Sequence, residues 1–268
     1  MFCCQQRFDL PTRVITEQQF WALVKASRTA KLVDEAREAL AKGEKALYDR
    51  KKKLLPLMVF IGTFDESEKE VENKKTGEKR TVKGRWRNQQ HVRLNGLVVA
   101  DYDHLDKDVR EIWEEAYPRL SEEDKARILL VYVTPSGHGL KVVFMADPAV
   151  GNLIDNQLDF SLKLGLAHDE ACKDASRGAF LTTNDDVIHL DERLFTYENK
   201  AFGEKYNEAY HQGHSQPTKD SSPEQMSSRP SEARGEIYFL CDFRRRFLLL
   251  LLKRTAAMMA RRARTMTT

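Results

Sequence analysis

Two aspartates stand one residue apart in the stretch GLVVADYDHLDKD (96–108), at the end of a run of β-forming residues. Successive side chains of a strand point to opposite faces, so Asp101 and Asp103 are expected on one face and Tyr102 on the other. Two neighbouring carboxylates repel unless a cation lies between them. Because Mg²⁺ and Mn²⁺ prefer carboxylate oxygens, the pair predicts a divalent-metal site. Aspartates at strand ends also cap turns, and this simpler explanation of the pair stays open.

A second group of polar residues lies in TPSGHGLKVVF (134–144). Its glycines and its position between two β-branched runs predict a hairpin turn. A turn does not by itself require Ser136, His138 and Lys141 in one place, next to backbone N–H groups that can hold phosphate oxygens. We therefore predict a phosphate-binding turn, with a solvated histidine as the alternative for His138.

A third group is CKDASRGAFLTTND (172–185), in which Asp174 precedes a short predicted strand and Arg177 begins it. An ordinary surface ion pair would explain both residues. The functional alternative adds a third carboxylate to the metal site and a guanidinium suited to a triphosphate. Together the three groups supply the charge neutralisation and positioning that phosphoryl transfer needs.

The surrounding sequence predicts an α+β fold. Residues 16–53 are rich in helix formers, 54–64 form an apolar run typical of a buried strand, and 128–146 predict the hairpin. A helix is expected within 150–174 and a short strand at 178–183. This order predicts one sheet with helices packed on its faces.

Composition limits the class of protein. A chain of 268 residues with 41% hydrophobic residues can form a proper core. Its four cysteines have neither disulfide-scaffold nor metal-ligand spacing, and the first twenty residues do not resemble a secretory signal. The longest apolar run of the segment 237–268, FLLLLL, is far shorter than the roughly 20 residues that span a bilayer. We therefore expect a cytoplasmic protein that does not interact with membranes.

The formal charge of +3 is unevenly distributed. The segment 237–268 carries eight Lys/Arg and one acidic residue, which leaves 36 basic against 40 acidic residues before it. Nucleic-acid binding must therefore come from local patches. The candidates are RKKK (50–53) and KRTVKGRWR (79–87), where Trp86 is predicted to stack a base.

In this order the motifs resemble those of the archaeo-eukaryotic primase (primase-polymerase) superfamily, and more narrowly the VirE N-terminal-domain family of Bacteroides-type mobile elements. LVVADYD corresponds to the strand that ends in DxD, PSGHGLKVVF to the Ser-x-His-type turn, and CKDASRGAFL to the acidic position followed by an arginine-bearing strand. The upstream KKKLLPLMVFIGTF resembles the lead-in of the narrower family. The likeness covers about residues 50–190.

The resemblance implies a primase-polymerase-like (RRM-like) sheet with flanking helices and a metal-dependent nucleotidyltransferase. Residues implied to hold Mg²⁺ or Mn²⁺ and to act in catalysis are Asp101, Asp103 and Asp174. Residues implied to contact the phosphates of the nucleotide are Ser136, His138, Lys141 and Arg177.

The chain departs from the family pattern at two positions. Lys141 stands where many superfamily members have histidine, and lysine binds phosphate as a point charge. Asn184 stands where the narrower family often has aspartate, so Asp185 or Asp186 is the expected substitute.

The predicted organisation has four parts: an N-terminal helical segment (1–53), the primase-polymerase-like catalytic domain (54–200), a disordered linker (201–236) and a basic, apolar tail (237–268). The tail is either an amphipathic helix or a non-native extension from a truncation or shifted frame.

The expected partners are a nucleic-acid template and nucleoside triphosphates. Because no G-x-x-x-x-G-K-[ST] phosphate loop occurs in the sequence, a helicase or NTPase would be another chain or a lost C-terminal domain. Two alternatives stay open: a non-catalytic replication or mobilisation protein that binds single-stranded nucleic acid, and a metal-dependent nuclease.

Overall fold

The fold was obtained as a computed structural model, which describes residues 1–72, 76–167, 174–213 and Pro217. These residues belong to one compact unit, Met1–Lys219. The predicted linker beyond residue 213, apart from Pro217, and the whole predicted tail (237–268) lie outside the described residues.

The described residues form a mixed α+β fold, as the sequence predicts. The helices are α1 (Glu17–Val24), α2 (Ser27–Ala41), α3 (Lys45–Lys52), α4 (Val109–Ala116), α5 (Glu122–Arg127), α6 (Leu153–Leu164) and α7 (Lys200–His211). The strands are β1 (Cys3–Gln5), β2 (Arg13–Val14), β3 (Leu57–Val59), β4 (Gly62–Phe64), β5 (Ser67–Glu72), β6 (Lys79–Gly84), β7 (Val92–Leu94), β8 (Leu97–Tyr102), β9 (Ile128–Val133), β10 (Leu140–Met145), β11 (Ala179–Phe180) and β12 (Val187–Leu190).

A central antiparallel sheet has the strand order β12-β9-β10-β8. The predicted hairpin is confirmed as β9 and β10, in which Val142 pairs with Val131 on one side and with Ala100 of β8 on the other. Side chains of β8 alternate: Val98, Ala100 and Tyr102 belong to the core cluster that also contains residues of α4 and α6. The pleat therefore turns Asp101 to the opposite face of the sheet.

A second antiparallel sheet has the order β11-β3-β1-β2. Its residues Cys4 and Met58 share a core cluster with Leu130 and Val143 of the central sheet. The second sheet therefore packs on the face that carries Asp101.

The apolar run 54–64 is not one strand but two. A turn at residues 60–61 separates β3 from β4, and β4 pairs with β7 instead of joining either four-stranded sheet. Gly62 permits this pairing, because a Cβ there would lie 2.2 Å from the backbone oxygen of Arg93.

The predicted helical region 16–53 is confirmed as α1, α2 and α3. Thr16 caps α1 in a capping box: its side chain accepts from the backbone N–H of Gln19, whose side chain accepts from the N–H of Thr16. Gly43 lies between α2 and α3 with a φ of +74°, a conformation that glycine adopts without steric cost.

The prediction that residues 1–53 form a separate helical segment is wrong at its start. Residues Cys3–Gln5 form β1, which is fully buried and lies between β3 and β2 in the second sheet. Because β1 pairs with β3 across more than fifty residues of chain, it belongs to the same domain as the predicted catalytic region.

The prediction that a linker begins at residue 201 is also wrong, because α7 occupies Lys200–His211. Phe202, Tyr206 and Tyr210 recur at every fourth position and are buried in the core cluster beside β7. This spacing places the three rings on one helix face, and their burial fixes the helix to the domain.

In the described ranges, no helix combines the length and the apolar character needed to cross a membrane.

Candidate functional site

The turn between β9 and β10 holds the second predicted motif in a defined conformation. The backbone N–H of Thr134 donates to the oxygen of Gly139 at 2.8 Å, and that of Gly137 donates to Thr134 at 2.9 Å. The Ser136 hydroxyl lies 2.9 Å from the Thr134 hydroxyl and accepts from the N–H of His138 at 3.2 Å. The turn therefore fixes the Ser136 oxygen, while the His138 side chain is exposed.

Asp103 packs against this turn. It directly follows β8 and is exposed, and a Cβ added to Gly139 would lie 2.6 Å from its Oδ1. The backbone N–H of Leu105 donates to the oxygen of His138 at 3.0 Å, which ties the segment after β8 to the turn. The first and second motifs therefore meet at one end of the central sheet.

Asp101 and Lys141 form a buried ion pair. They are directly opposite each other on β8 and β10, and the Lys141 ammonium contacts Oδ2 of Asp101. Asp101 is 2% exposed and Lys141 is 8% exposed. A lysine of the same sheet therefore supplies a positive charge beside Asp101.

The third motif meets the second in a small cavity of about 20 Å³, enough for roughly one water molecule. Lys141, Asp174 and Arg177 line it, together with Gln157 and apolar residues of β3 and β8. Gln157 donates to the backbone oxygen of Val99 at 2.8 Å, which anchors α6 to β8 beside the cavity.

A tight turn positions Asp174 and Arg177. The Asp174 carboxylate accepts from the backbone N–H of Ser176 at 2.7 Å and from its hydroxyl at 3.0 Å, and the N–H of Arg177 donates to the Asp174 backbone oxygen at 3.0 Å. Both side chains are exposed. The turn therefore presents a carboxylate and a guanidinium side by side at the cavity.

Arg87 is a further basic residue of this region. Its guanidinium donates to the backbone oxygen of Ser176 at 2.8 Å and to the side chain of Gln5 at 3.2 Å. Burial lowers the pKa of Arg87, and the charge of Asp174 partly opposes that shift. Arg87 belongs to the predicted basic patch 79–87, and nothing in that sequence indicates that it holds the Asp174 turn.

A larger cavity of about 390 Å³ lies on another side of the β9–β10 turn. Ser136 and His138 line it with Arg37 of α2, Arg110 of α4 and Asp186. Its volume lies within the range of small-molecule sites, and its walls combine guanidinium groups with aliphatic side chains. The structure therefore divides the predicted phosphate-binding residues between two neighbouring cavities.

Asp186 and Arg37 form a partly buried network at this larger cavity. The Arg37 Nη2 lies 2.9 Å from both carboxylate oxygens of Asp186 and 3.4 Å from the Thr134 oxygen. The hydroxyls of Thr182 and Thr183 donate to Asp186 at 2.8 and 2.7 Å. Of the two expected substitutes for Asn184, Asp186 is the one fixed beside the turn.

The three predicted metal ligands do not form one group in this structure. Among the described residues, no three His, Cys, Asp or Glu side chains are grouped so that they could hold a metal ion. Asp101 and Asp103 are nevertheless the hard oxygen donors that Mg²⁺ prefers, and Mg²⁺ often takes one or two carboxylates and completes its shell with substrate phosphates. The donor chemistry fits such an ion, and the metal assignment stays a prediction.

The prediction that Trp86 stacks a nucleic-acid base is wrong. Trp86 is 4% exposed, its indole N–H donates to the oxygen of Val82 at 2.9 Å, and the Lys69 ammonium lies 5.0 Å from its ring centroid. Charges of the same basic segment are paired across β5 and β6, as Lys79 is with Glu70 at 2.9 Å. The ring is therefore buried against the antiparallel pair of β5 and β6.

Comparison with known proteins gives one finding. Residues 72–189 match the family model described as BT4734-like, N-terminal domain. This segment contains all seven predicted site residues, and the match agrees with the expectation of a Bacteroides-type family. No curated protein and no solved structure matches the chain.

Proposed function

We propose that this chain is a metal-dependent nucleotidyltransferase of primase-polymerase type, which primes or extends nucleic acid from nucleoside triphosphates during replication of a mobile element. One observation carries the proposal: three motifs that are far apart in the sequence meet in the fold. Asp101 contacts Lys141, and Lys141 lines the same cavity as Asp174 and Arg177. Asp103 packs on the turn that carries Ser136.

In this proposal, the basic side chains hold the triphosphate. Lys141 supplies a point charge, and Arg177 supplies a planar guanidinium that suits two phosphate oxygens at once. Ser136 and His138 contribute hydrogen-bond donors from the adjoining turn. These contacts neutralise charge on the nucleotide and align its α-phosphate, which is most of what phosphoryl transfer requires of a protein.

The proposed reaction joins a 3′-hydroxyl of the growing strand to the α-phosphate of the nucleotide. A new P–O bond forms, the bond between the α- and β-phosphates breaks, pyrophosphate leaves, and the hydroxyl proton passes to solvent. Mg²⁺ or Mn²⁺ held by Asp101 and Asp103, with Asp174 nearby, would make the hydroxyl more acidic and offset the charge of the leaving group.

A primer-extension assay tests the proposal. The protein is incubated with a labelled primer and template, dNTPs or NTPs, and Mn²⁺. We expect extension by the wild type and none by Asp101→Ala/Asp103→Ala, whereas Asp159→Ala on α6 serves as a control that removes a carboxylate elsewhere. Equal extension by the wild type and the double variant would contradict the assignment, and shortening of the primer would indicate a nuclease.

The second candidate is a non-catalytic protein that binds single-stranded nucleic acid. The burial of Lys141 against Asp101 favours it, because that pair occupies one proposed metal ligand and one proposed phosphate contact. In this case, we expect a gel shift with no product, and the shift should be insensitive both to chelation of divalent ions and to the Asp101→Ala/Asp103→Ala change.

A further inference from the structure

The buried pair of Lys141 and Asp101 weakens the proposed contact of each residue. While the ammonium contacts the carboxylate, Asp101 offsets the charge that Lys141 would offer a phosphate, and a cation cannot reach Asp101 without displacing the ammonium. We infer that this pair couples the two ligands: a triphosphate draws Lys141 away and thereby opens Asp101 to a divalent cation. The inference rests on the proposed function and adds to it the regulation of the same site.

The position of the pair makes direct competition unavoidable. Lys141 and Asp101 face each other across adjacent strands, and their side chains are only 11% and 3% exposed. Charges this deeply buried interact more strongly than charges in water, so the ammonium is an effective competitor of an incoming cation. A cation that binds Asp101 while Lys141 remains in place would bring two positive charges together.

The structure also offers Lys141 a second partner. Lys141 lines the small cavity with Arg177, and the cavity has room for roughly one water molecule. A phosphate oxygen that enters beside Arg177 therefore reaches the lysine without any movement of β10. The flexible four-carbon stem of lysine allows the ammonium to turn from the carboxylate to this oxygen.

The cation in turn needs the phosphate. In the portion of the chain that the structure describes, carboxylates do not gather in a group of three around Asp101. Asp101 and Asp103 offer two, and Mg²⁺ typically completes such a set with substrate phosphates. The triphosphate therefore supplies both the anion that attracts Lys141 and the oxygens that complete the cation's shell.

Binding of each ligand alone tests the coupling without a reaction. Mn²⁺ binding is measured by electron paramagnetic resonance in the absence of phosphate, and tripolyphosphate binding is measured by calorimetry with a chelator present. We expect Lys141→Met to bind Mn²⁺ alone about tenfold more tightly than the wild type, within the usual range of coupling between sites. We expect Asp101→Asn to bind tripolyphosphate alone more tightly by a similar factor.

Matched controls come from an ion pair on α6. Lys163 lies 2.9 Å from Asp159 and 2.8 Å from Asp124, and none of these residues lines either cavity. Lys163→Met and Asp159→Asn make the same changes of net charge, and each should leave both affinities within about twofold of the wild type. A general effect of net charge would move the controls and the test variants equally, and this result would overturn the inference.

Stability of the variants is monitored by thermal unfolding, since loss of Lys141 leaves Asp101 buried without its lysine. Lys141→Gln keeps a hydrogen-bond donor and replaces Lys141→Met if that variant does not fold. If the folded lysine variant binds Mn²⁺ no more tightly than the wild type, the inference is wrong. Coupling without primer extension would instead refute the proposed function, and extension without coupling would refute the inference alone.

Discussion

The network around Asp186 gives the most direct test of the packing beside the turn. Asp186→Asn removes the charge that faces Arg37, and it replaces one accepting oxygen with an NH₂ group that faces donors. Breaking a fully buried pair costs about 3–5 kcal/mol, whereas an exposed pair contributes less than about 1 kcal/mol. The Asp186 side chain is 10% exposed but that of Arg37 is 34% exposed. We therefore expect an intermediate loss of roughly 2–3 kcal/mol in the free energy of unfolding.

Urea unfolding followed by circular dichroism measures this loss, which corresponds to a fall of about 4–12 °C in Tm for a domain of this size. Glu38→Gln is the control on the same helix, because the Glu38–Lys42 pair is exposed on both sides and should leave the free energy of unfolding almost unchanged. A double-mutant cycle with Arg37→Met isolates the pairwise contribution. A loss below about 0.5 kcal/mol for Asp186→Asn, or strictly additive effects in the cycle, would refute the reasoning.

Three further outcomes are expected. Gly139→Ala would place a Cβ 2.7 Å from the hydroxyl of buried Thr134 and 3.1 Å from the backbone oxygen of Tyr102, so it should cost about 1–3 kcal/mol in urea unfolding and reduce primer extension. Burial raises the pKa of Asp124, but hydrogen bonds, led by the one from Lys163, outweigh this effect and hold the pKa below 3.8. Asp124→Asn should therefore lower the free energy of unfolding at neutral pH, and its difference from the wild type should shrink as the pH falls below about 4. A difference in unfolding free energy that does not change with pH would contradict this. Burial raises the thiol pKa of Cys3 and of Cys4 to about 12. In a variant whose other two cysteines are replaced by serine, Ellman's reagent at pH 8 should therefore label Cys3 and Cys4 only as urea unfolds the protein.

Sequence patterns predicted the local elements well because each has its own signal. The hairpin of β9 and β10 follows from two β-branched runs around a glycine turn, and α1, α2 and α3 follow from a stretch rich in helix formers. Aromatic residues also recur at every fourth position of α7, but the polar residues between them led to the prediction of a linker. In this segment the helical periodicity indicates the structure better than the polar composition does.

The second sheet could not be predicted in the same way. Strand β1 is only three residues long, and its burial comes from pairing with Leu57–Val59, far along the chain. Nothing in a three-residue segment specifies such a partner, because the stabilisation comes entirely from tertiary contacts. The same limit explains why Arg37 was missed: an arginine in a polar helix gives no sign that it reaches Asp186 and Thr134.

At the candidate site, the sequence predicted that the three motifs lie in one region, but not how their residues pair or that they line two separate cavities. The motif order placed Asp101, Lys141 and Asp174 in one region, and the structure agrees that Lys141 lies between the other two motifs. The register of β8 against β10 decides that Lys141 faces Asp101 directly. Register depends on the side-chain packing of the whole sheet, so it cannot be read from either strand alone.

The two sheets also differ in how the chain assembles them. Three strands of the central sheet, β8, β9 and β10, lie within residues 97–145, whereas the second sheet joins residues near the start of the chain to Ala179 and Phe180. Contacts between segments so distant in sequence form late in folding because loop closure must precede them. Lys141 belongs to the central sheet, and Arg177 lies just before β11 of the second sheet. The proposed phosphate-binding site would therefore form after most of the secondary structure. During refolding, recovery of that binding should lag behind the far-ultraviolet signal.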